Sequence, residues 1–156
     1  MILLLLLPLA MASCGDNNDE PSITSKDPEG TAIINLRCGD FWDVPYIGSF
    51  NGHMEGAIYL DEACNFTSSD QWDSFICVGK VNGLSSVKKV PVSGWSKSVA
   101  ATPGMGYLVK WDGTYRADDQ YEEGDRLIRM YVVEYILDAS NNVIGAVVKY
   151  QAPFNP

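Results

Sequence analysis

The sequence predicts an all-β domain, either an antiparallel sandwich or a small barrel, with a C-terminal hairpin. Short runs rich in β-branched and aromatic residues recur between Gly, Pro, Asn and Asp, and no long helical period appears. The C-terminal third holds two apolar runs separated by a polar loop, which is typical of a hairpin. One short helical turn could form at residues 68–74, where Ser68 or Ser69 would cap it.

The chain begins with an apolar run, residues 2–9, which is followed by small residues and Cys14. A membrane-spanning helix needs about 20 apolar residues, roughly twice this length. An apolar core followed by small residues and a polar stretch is typical of a secretory signal. The position of the cysteine after Ala12 and Ser13 resembles a bacterial lipobox, whose thiol is acylated. We therefore expect residues 1–13 to be a lipoprotein signal peptide and Cys14 to be the lipid attachment site, with palmitate-type chains as the membrane anchor.

Residues 14–30 are rich in Asp, Asn, Glu, Pro and Ser, and they contain one large apolar residue, Ile23. This composition predicts a flexible acidic tether, followed by a single β-rich domain over residues 31–156. The acidic tether resembles the signal by which Bacteroidetes send lipoproteins to the outer face of the outer membrane. We therefore expect an outer-membrane location, at the cell surface rather than on the periplasmic face.

The strands of the domain are predicted from alternation and from their turn residues. In the first strand, Ile34, Leu36 and Cys38 share one face. The last two strands are apolar on both faces, which is typical of strands covered on both sides. The predicted strands are 31–38, 57–60, 75–81, 87–92, 106–111, 126–137 and 143–150, and the hairpin loop is 138–142.

The charge of the chain excludes one class of partner. There are 11 Lys and Arg residues against 20 Asp and Glu residues, a formal net charge of −9. Binding to nucleic acid depends on neutralising phosphates with clustered basic residues, and this acidic chain has no such cluster. We expect no nucleic-acid partner.

The sequence nominates no catalytic residue, metal site or cofactor. The one histidine, His53, lies between Gly52 and Gly56 in a predicted loop, without a spacing that supplies a nucleophile and an orienting acid. One histidine with scattered carboxylates is not a transition-metal ligand set.

Three cysteines follow the predicted lipid site, and none forms a CxxC pair. They are Cys38, Cys64 and Cys77. One disulfide bond is compatible with an envelope location, and its partners stay open. The acidic run 118–125 is also open to two interpretations, a calcium site or a solvated loop balanced by Arg126 and Arg129.

Aromatic residues are the remaining functional signal, since the chain has four tryptophans and eight tyrosines. Trp95 and Trp111 are interpreted as core residues. Trp42 and Trp72 lie in acidic, irregular sequence, and we expect them in loops as candidate ligand-binding residues. Tryptophan rings can stack on the apolar face of a sugar and are enriched in interfaces.

Several segments together resemble a known family. Gly94-Trp95 and residues 61–66, 103–109, 129–133 and 145–154 are similar to an uncharacterised Bacteroidetes lipoprotein family that is classified as a domain of unknown function. The resemblance covers most of the chain after the signal. It implies a location and an architecture, and it brings no activity or catalytic residue.

We expect a membrane-anchored lipoprotein with a non-catalytic domain that binds a glycan or another envelope protein. The alternative is a structural or assembly subunit of a cell-envelope complex. A glycan-active enzyme is a third and less favoured interpretation, because acidic residues alone do not establish the pair of positioned carboxylates that glycosidases use.

Overall fold

The computed structural model describes residues 29–36, 49–50, 53–54, 58–69, 71, 73–111, 120–123 and 125–156. These residues form an antiparallel β-sandwich, so the all-β prediction is confirmed, and the sheets are open in the described part of the chain rather than closed into a barrel. The strands are β1 (Glu29–Asn35), β2 (Ser49–Phe50), β3 (His53–Met54), β4 (Ile58–Leu60), β5 (Asn65–Ser68), β6 (Asp73–Lys80), β7 (Val99–Ala100), β8 (Met105–Trp111), β9 (Arg126–Leu137) and β10 (Val143–Gln151).

The largest sheet has five strands in the order β1-β10-β9-β8-β6, and every pairing in it is antiparallel. A second sheet has the order β4-β5-β7, and β2 pairs only with β3 among the described strands. The first strand, β1, lies at one edge of the five-stranded sheet and pairs with the last strand, β10. The two ends of the described chain therefore lie side by side.

The inner face of the five-stranded sheet packs on the three-stranded sheet. Phe66 of β5 meets Tyr107 of β8 edge to face, with ring centroids 5.1 Å apart. The Tyr107 hydroxyl accepts a hydrogen bond from the Thr102 N–H at 2.7 Å and donates one to the Ala100 carbonyl at 2.8 Å. Other buried apolar residues of this core include Ile34, Ile58, Leu60, Phe75, Val109, Met130, Val132 and Val148.

The outer face of the same sheet is covered in part by residues 81–95, here termed the covering segment, and by Phe154. The covering segment contains one turn of 3-10 helix, Leu84–Ser86. Its Trp95 is buried, 3% exposed, and the indole Nε1 donates to the Pro91 carbonyl at 2.9 Å. The prediction that Trp95 is a core residue is confirmed. The apolar residues that meet here are Val87, Trp95, Leu108, Leu127 and Phe154.

The C-terminal hairpin is confirmed. β9 begins at Arg126 and ends at Leu137 as predicted, and residues 138–142 join it to β10. The strands predicted at 31–38, 57–60, 75–81 and 106–111 are also present, with ends that differ from the prediction by at most three residues. Before β8, Gly104 has a φ of +82°, which a turn after Pro103 requires and which glycine adopts without strain.

Two of the local predictions are wrong. Residues 87–92 are not a strand: they cross the outer face without ladder pairing, and Val87 and Val90 pack into the apolar cluster below. No helical turn forms at 68–74 in the described residues, since Ser68 ends β5 and Asp73 begins β6. β6 therefore begins inside the predicted helical turn. Its side chains alternate as those of a strand do, since Phe75 packs into the inner core while Ile76 packs on the outer face.

His53 also differs from its predicted loop position, because it pairs with Phe50 in the short β2–β3 hairpin. Among the described residues, no helix is long and apolar enough to span a membrane.

Candidate binding pocket

A shallow pocket of about 330 Å³ lies where the end of β10 meets the covering segment. Its volume is at the lower end of the range typical of small-molecule sites. The residues that line it are Lys88, Arg129, Gln151, Phe154, Asn155 and Pro156.

Sheet register brings the polar side chains of this pocket together. Arg129 of β9 is the cross-strand neighbour of Gln151 in β10, and Gln151 is in turn the neighbour of Glu29 in β1. Residues directly opposite each other in an antiparallel pair point to the same side of the sheet. A carboxylate, an amide and a guanidinium therefore form one row across three strands, on the outer face.

Contacts on three sides hold the Arg129 guanidinium in place. Its Nη1 donates to the Val87 carbonyl at 3.0 Å, and its Nη2 lies 3.4 Å from Glu29 Oε1. The guanidinium carbon is 4.7 Å from the centroid of the Phe154 ring. Only 12% of the Arg129 side chain is exposed. Arginine is thus a fixed part of the pocket wall rather than a freely moving surface charge.

Two buried polar atoms of the pocket have no hydrogen-bond partner. They are the Nε of Arg129 and the Oε1 of Gln151. The great majority of buried polar side-chain atoms in proteins are hydrogen-bonded, and leaving one unpaired costs about 1–3 kcal/mol. One of these atoms is a donor and the other is an acceptor. Neither atom is in contact with solvent.

Two cationic side chains, Lys88 and Arg129, line the pocket. The exposed Lys88 follows Val87, whose carbonyl binds Nη1 of Arg129, whereas Glu29 lies at Nη2. The Glu29 side chain is 58% exposed, and an exposed ion pair of this kind contributes little to stability. The cations of the pocket contrast with the net charge of −9 of the whole chain.

The described residues do not include the site residues predicted from the sequence. Cys14, Trp42 and Trp72 lie outside the described residues, and their roles stay predictions. Trp111 is partly buried, and the guanidinium carbon of Arg126 lies 4.8 Å from its ring centroid. A cation thus covers that ring.

The acidic run 118–125 is described only in part. Asp125 accepts a hydrogen bond from the Glu122 N–H at 2.9 Å, and its carboxylate lies 4.0 Å from the buried ammonium of Lys110. Asp125 therefore contacts polar groups of the domain itself. Within the described segments, no group of three or more His, Cys, Asp or Glu side chains could hold a metal ion. Arg129 was expected to balance this run, but it contacts Glu29 instead.

Both described cysteines are free thiols. Cys64 is partly buried and Cys77 is exposed, so these two do not form the disulfide bond that the sequence left open. Cys38 lies outside the described residues.

Sequence reasoning missed Arg129 and Gln151 as site residues, although a weak signal was present. Each is a polar residue with a long side chain within or at the end of a strand that is mostly apolar on both faces. Such a residue must be paired or must line an opening, because burial of an unpaired polar group is costly. What the sequence lacked was the register that places the two side by side.

Comparison with known proteins supports a family but no activity. No curated protein and no solved structure matches the chain. Residues 51–154, which include the covering segment, β9, β10 and Phe154, match the family described as a domain of unknown function (DUF5036). The chain belongs to this family of domains of unknown function.

Proposed function

We propose that the protein is a Bacteroidetes lipoprotein, acylated at Cys14 and held at the outer membrane on the cell surface, whose β-sandwich binds a glycan without catalysis. The observation that supports the binding function is the pocket of about 330 Å³, which is lined by Lys88, Arg129, Gln151 and Asn155 among others. The two cations can donate hydrogen bonds, and the two amides can both donate and accept them. A sugar hydroxyl also donates and accepts, and therefore suits this lining.

The proposed location is supported by the N-terminal sequence. The apolar run, the small residues before Cys14 and the acidic residues 16–20 fit a lipoprotein signal and a surface-export tether. Two or more acyl chains would anchor the protein stably, whereas one chain gives only marginal binding. Metabolic labelling with an alkyne fatty acid should tag the wild type, and Cys14→Ser should abolish the tag and release the protein from membranes. Equal labelling of Cys14→Ser would contradict acylation at this residue.

Glycan binding is tested with an array of bacterial and plant polysaccharide fragments, using the purified wild-type protein and Gln151→Leu. Because Gln151 Oε1 makes no hydrogen bond within the protein, its removal should not lower the melting temperature. We expect the variant to lose binding. Trp42→Ala and Trp72→Ala test whether the predicted loop tryptophans extend the same site. Absence of binding to any glycan, or turnover of a bound polysaccharide, would overturn the proposal.

A structural or assembly subunit is the second candidate, and exposed apolar side chains favour it. Ile33 and Ile144 are 51% and 43% exposed, and they belong to β1 and β10, which pair with each other. Apolar residues grouped on a surface are typical of protein interaction sites. Recovery of a stoichiometric envelope complex by crosslinking, lost in Ile33→Asp but retained in Gln151→Leu, would favour this function.

A further inference from the structure

We propose that the glycan bound by the pocket is the head group of a glycolipid in the same membrane that anchors the protein. This inference rests on the proposed function, both on the lipid anchor at Cys14 and on glycan binding. It adds the kind of partner, a lipid-linked saccharide, and it specifies which end of the domain meets the membrane.

The pocket lies beside the point at which the N-terminal segment enters the domain. β1 begins at Glu29, whose cross-strand partner is Gln151, a residue that lines the pocket. Paired Cα atoms of an antiparallel sheet are about 4.5–5.5 Å apart. The Oε1 of Glu29 also lies 3.4 Å from Nη2 of Arg129, a second residue of the pocket lining. The chain that leads from Cys14 therefore reaches the domain within about one side-chain length of the pocket wall.

The opposite end of the five-stranded sheet is far from this entry point. β10 extends from Val143 to Gln151, so its two ends lie about 27 Å apart at a rise of about 3.4 Å per residue. The β9–β10 loop, residues 138–142, lies at the end away from the pocket. A domain that is held to a membrane by its N-terminal segment is thus held from the pocket end.

The length of the N-terminal segment limits how far the pocket can be from the membrane. Glu29 follows Cys14 by 15 residues. Whatever its conformation, a segment of this length spans at most about 54 Å. As the flexible coil that its composition predicts, it would span about 20 Å on root-mean-square average. The saccharides of lipids in the anchoring membrane would therefore lie within reach of the pocket.

The size of the pocket favours a ligand of this kind. A shallow pocket of about 330 Å³ buries little ligand surface, so we expect it to bind a free saccharide weakly. Confinement of both partners to one surface raises their effective concentration to the millimolar range and the apparent affinity by about 10²- to 10⁴-fold. A weak pocket is sufficient for a ligand on the same membrane, but not for a dilute ligand in solution.

Photo-crosslinking from two positions tests this arrangement in the full-length acylated protein, which is inserted into phosphatidylcholine vesicles. A benzoylphenylalanine replaces either Lys89 or Ser140. Lys89 is exposed and follows the pocket residue Lys88 without lining the pocket itself, and Ser140 is exposed in the β9–β10 loop. The probe is a glycolipid extract from the membranes of the cells that produce the protein, placed either in the same vesicles or in separate ones.

We expect position 89 to crosslink to glycolipids of the same vesicles. The yield should exceed, by at least about tenfold, both the yield from position 140 and the yield with separate vesicles. Gln151→Leu should remove the crosslink, as it removes glycan binding. Cys14→Ser should weaken binding to glycolipid vesicles by at least about 100-fold, because it removes the anchor. Its affinity for saccharides released from the same lipids by mild acid should equal that of the wild type in calorimetric titration.

The outcomes separate this inference from the proposed function. If neither the released saccharides nor any glycan on the array binds, glycan binding itself fails. If the released saccharides bind, but crosslinking is equal from the two positions or equal for same and separate vesicles, glycan binding stands and the glycolipid inference is overturned. Wild-type affinity of Cys14→Ser for glycolipid vesicles would also overturn it. Crosslinks from position 89 to phosphatidylcholine alone would assign a membrane contact without a sugar ligand, and would exclude the head group.

Discussion

The carboxylate of Asp138 accepts hydrogen bonds from both the backbone N–H and the side-chain Nδ2 of Asn142, at 2.8 and 2.9 Å. Asp61 binds Asn65 in the same way, at 2.8 and 3.0 Å. In each turn the aspartate N–H also donates to the asparagine carbonyl at 2.9 Å. The two loops, β4–β5 and β9–β10, therefore share one five-residue Asp-x-x-x-Asn structure.

The fourth residue of each loop has a left-handed backbone conformation. It is Asn141 in the β9–β10 loop, with a φ of 64°, and Cys64 in the β4–β5 loop, with a φ of 60°. Asparagine tolerates this region better than most residues other than glycine. The aspartate hydrogen bonds thus hold the same turn in both loops. Asn141 suits the left-handed position well, whereas Cys64 suits it less well.

We expect these turns to make stability depend on pH in the acidic range. Hydrogen bonds from Asn142 and Ser140 lower the pKa of Asp138 below its ordinary value of 3.8. For Asp61, slight burial raises the pKa, but hydrogen bonds from Asn65 and Ala63 outweigh it, and the net pKa is lowered. A lowered folded-state pKa stabilises the protein above the unfolded value, and this stability is lost as the pH falls through the folded-state pKa.

Asp61→Asn with Asp138→Asn tests this dependence, because asparagine keeps one acceptor oxygen and removes the charge. We expect the double variant to have a lower melting temperature than the wild type at neutral pH, with the gap closing as the pH falls below about 3.8. Glu134→Gln, at an exposed position on β9, is the control. A gap that is constant across the pH range would contradict the role of the two charges.

Tyr107→Phe should destabilise the protein by about 1–3 kcal/mol. The substitution retains the ring that packs on Phe66, but leaves the Thr102 N–H and the Ala100 carbonyl without the hydroxyl that joins them. Urea denaturation measures the change, with Tyr131→Phe, a partly buried residue on the opposite face, as the control. Equal stabilities for Tyr107→Phe and the wild type would show that water replaces the hydroxyl.

The same residue predicts behaviour at alkaline pH. Burial raises the pKa of Tyr107 to about 12, from an ordinary value of 10.0. A raised folded-state pKa means that the tyrosine contributes stability below about pH 10, and that this contribution falls as the pH rises through the interval up to about 12. Burial also raises the pKa of Tyr150. In ultraviolet titration we therefore expect fewer tyrosines to ionise near pH 10 in the folded wild type than after unfolding, and we expect this deficit to be smaller by one tyrosine in Tyr107→Phe.

Gly106→Ala should destabilise the protein by about 1–3 kcal/mol, as overpacking of a core does. A Cβ on Gly106 would lie 2.6 Å from Val87 Cγ2 and 3.0 Å from methyl groups of Val78 and Val81. The double variant Gly106→Ala/Val87→Ala removes the closest contact, and we expect it to recover part of the loss seen by thermal denaturation. Additive losses in the double variant would contradict the packing of the covering segment on this face.

Much of the fold was accessible from local sequence. The limits of β9, the five-residue loop and the start of β10 follow from apolar runs around Asp138-Ala139-Ser140-Asn141-Asn142. The prediction of a strand at 87–92 was wrong because Val87 and Val90 are β-branched residues typical of strands, but they pack their side chains on the outer face of the five-stranded sheet. Their backbone does not join that sheet. Side-chain hydrophobicity indicates that a residue is buried, but it does not indicate whether its backbone is hydrogen-bonded to a neighbouring strand.

The binding pocket was much less predictable than the fold. Arg129 was assigned to a nearby acidic run, because proximity along the chain was the available measure of which charges meet. Its observed ion-pair partner, Glu29, is 100 residues away. Only the pairing of β1 with β10 and of β10 with β9 brings the two together.

The sequence by itself determined the all-β class, the C-terminal hairpin and the burial of Trp95, because alternation, turn residues and side-chain hydrophobicity act over a few neighbouring residues. Tertiary structure alone decided the strand order β1-β10-β9-β8-β6, the position of the covering segment and the meeting of Arg129 with Gln151. These depend on register between distant strands, where a shift of one residue would turn every side chain to the opposite face. Register is selected by the packing of both faces at once, and that information is spread over the whole chain.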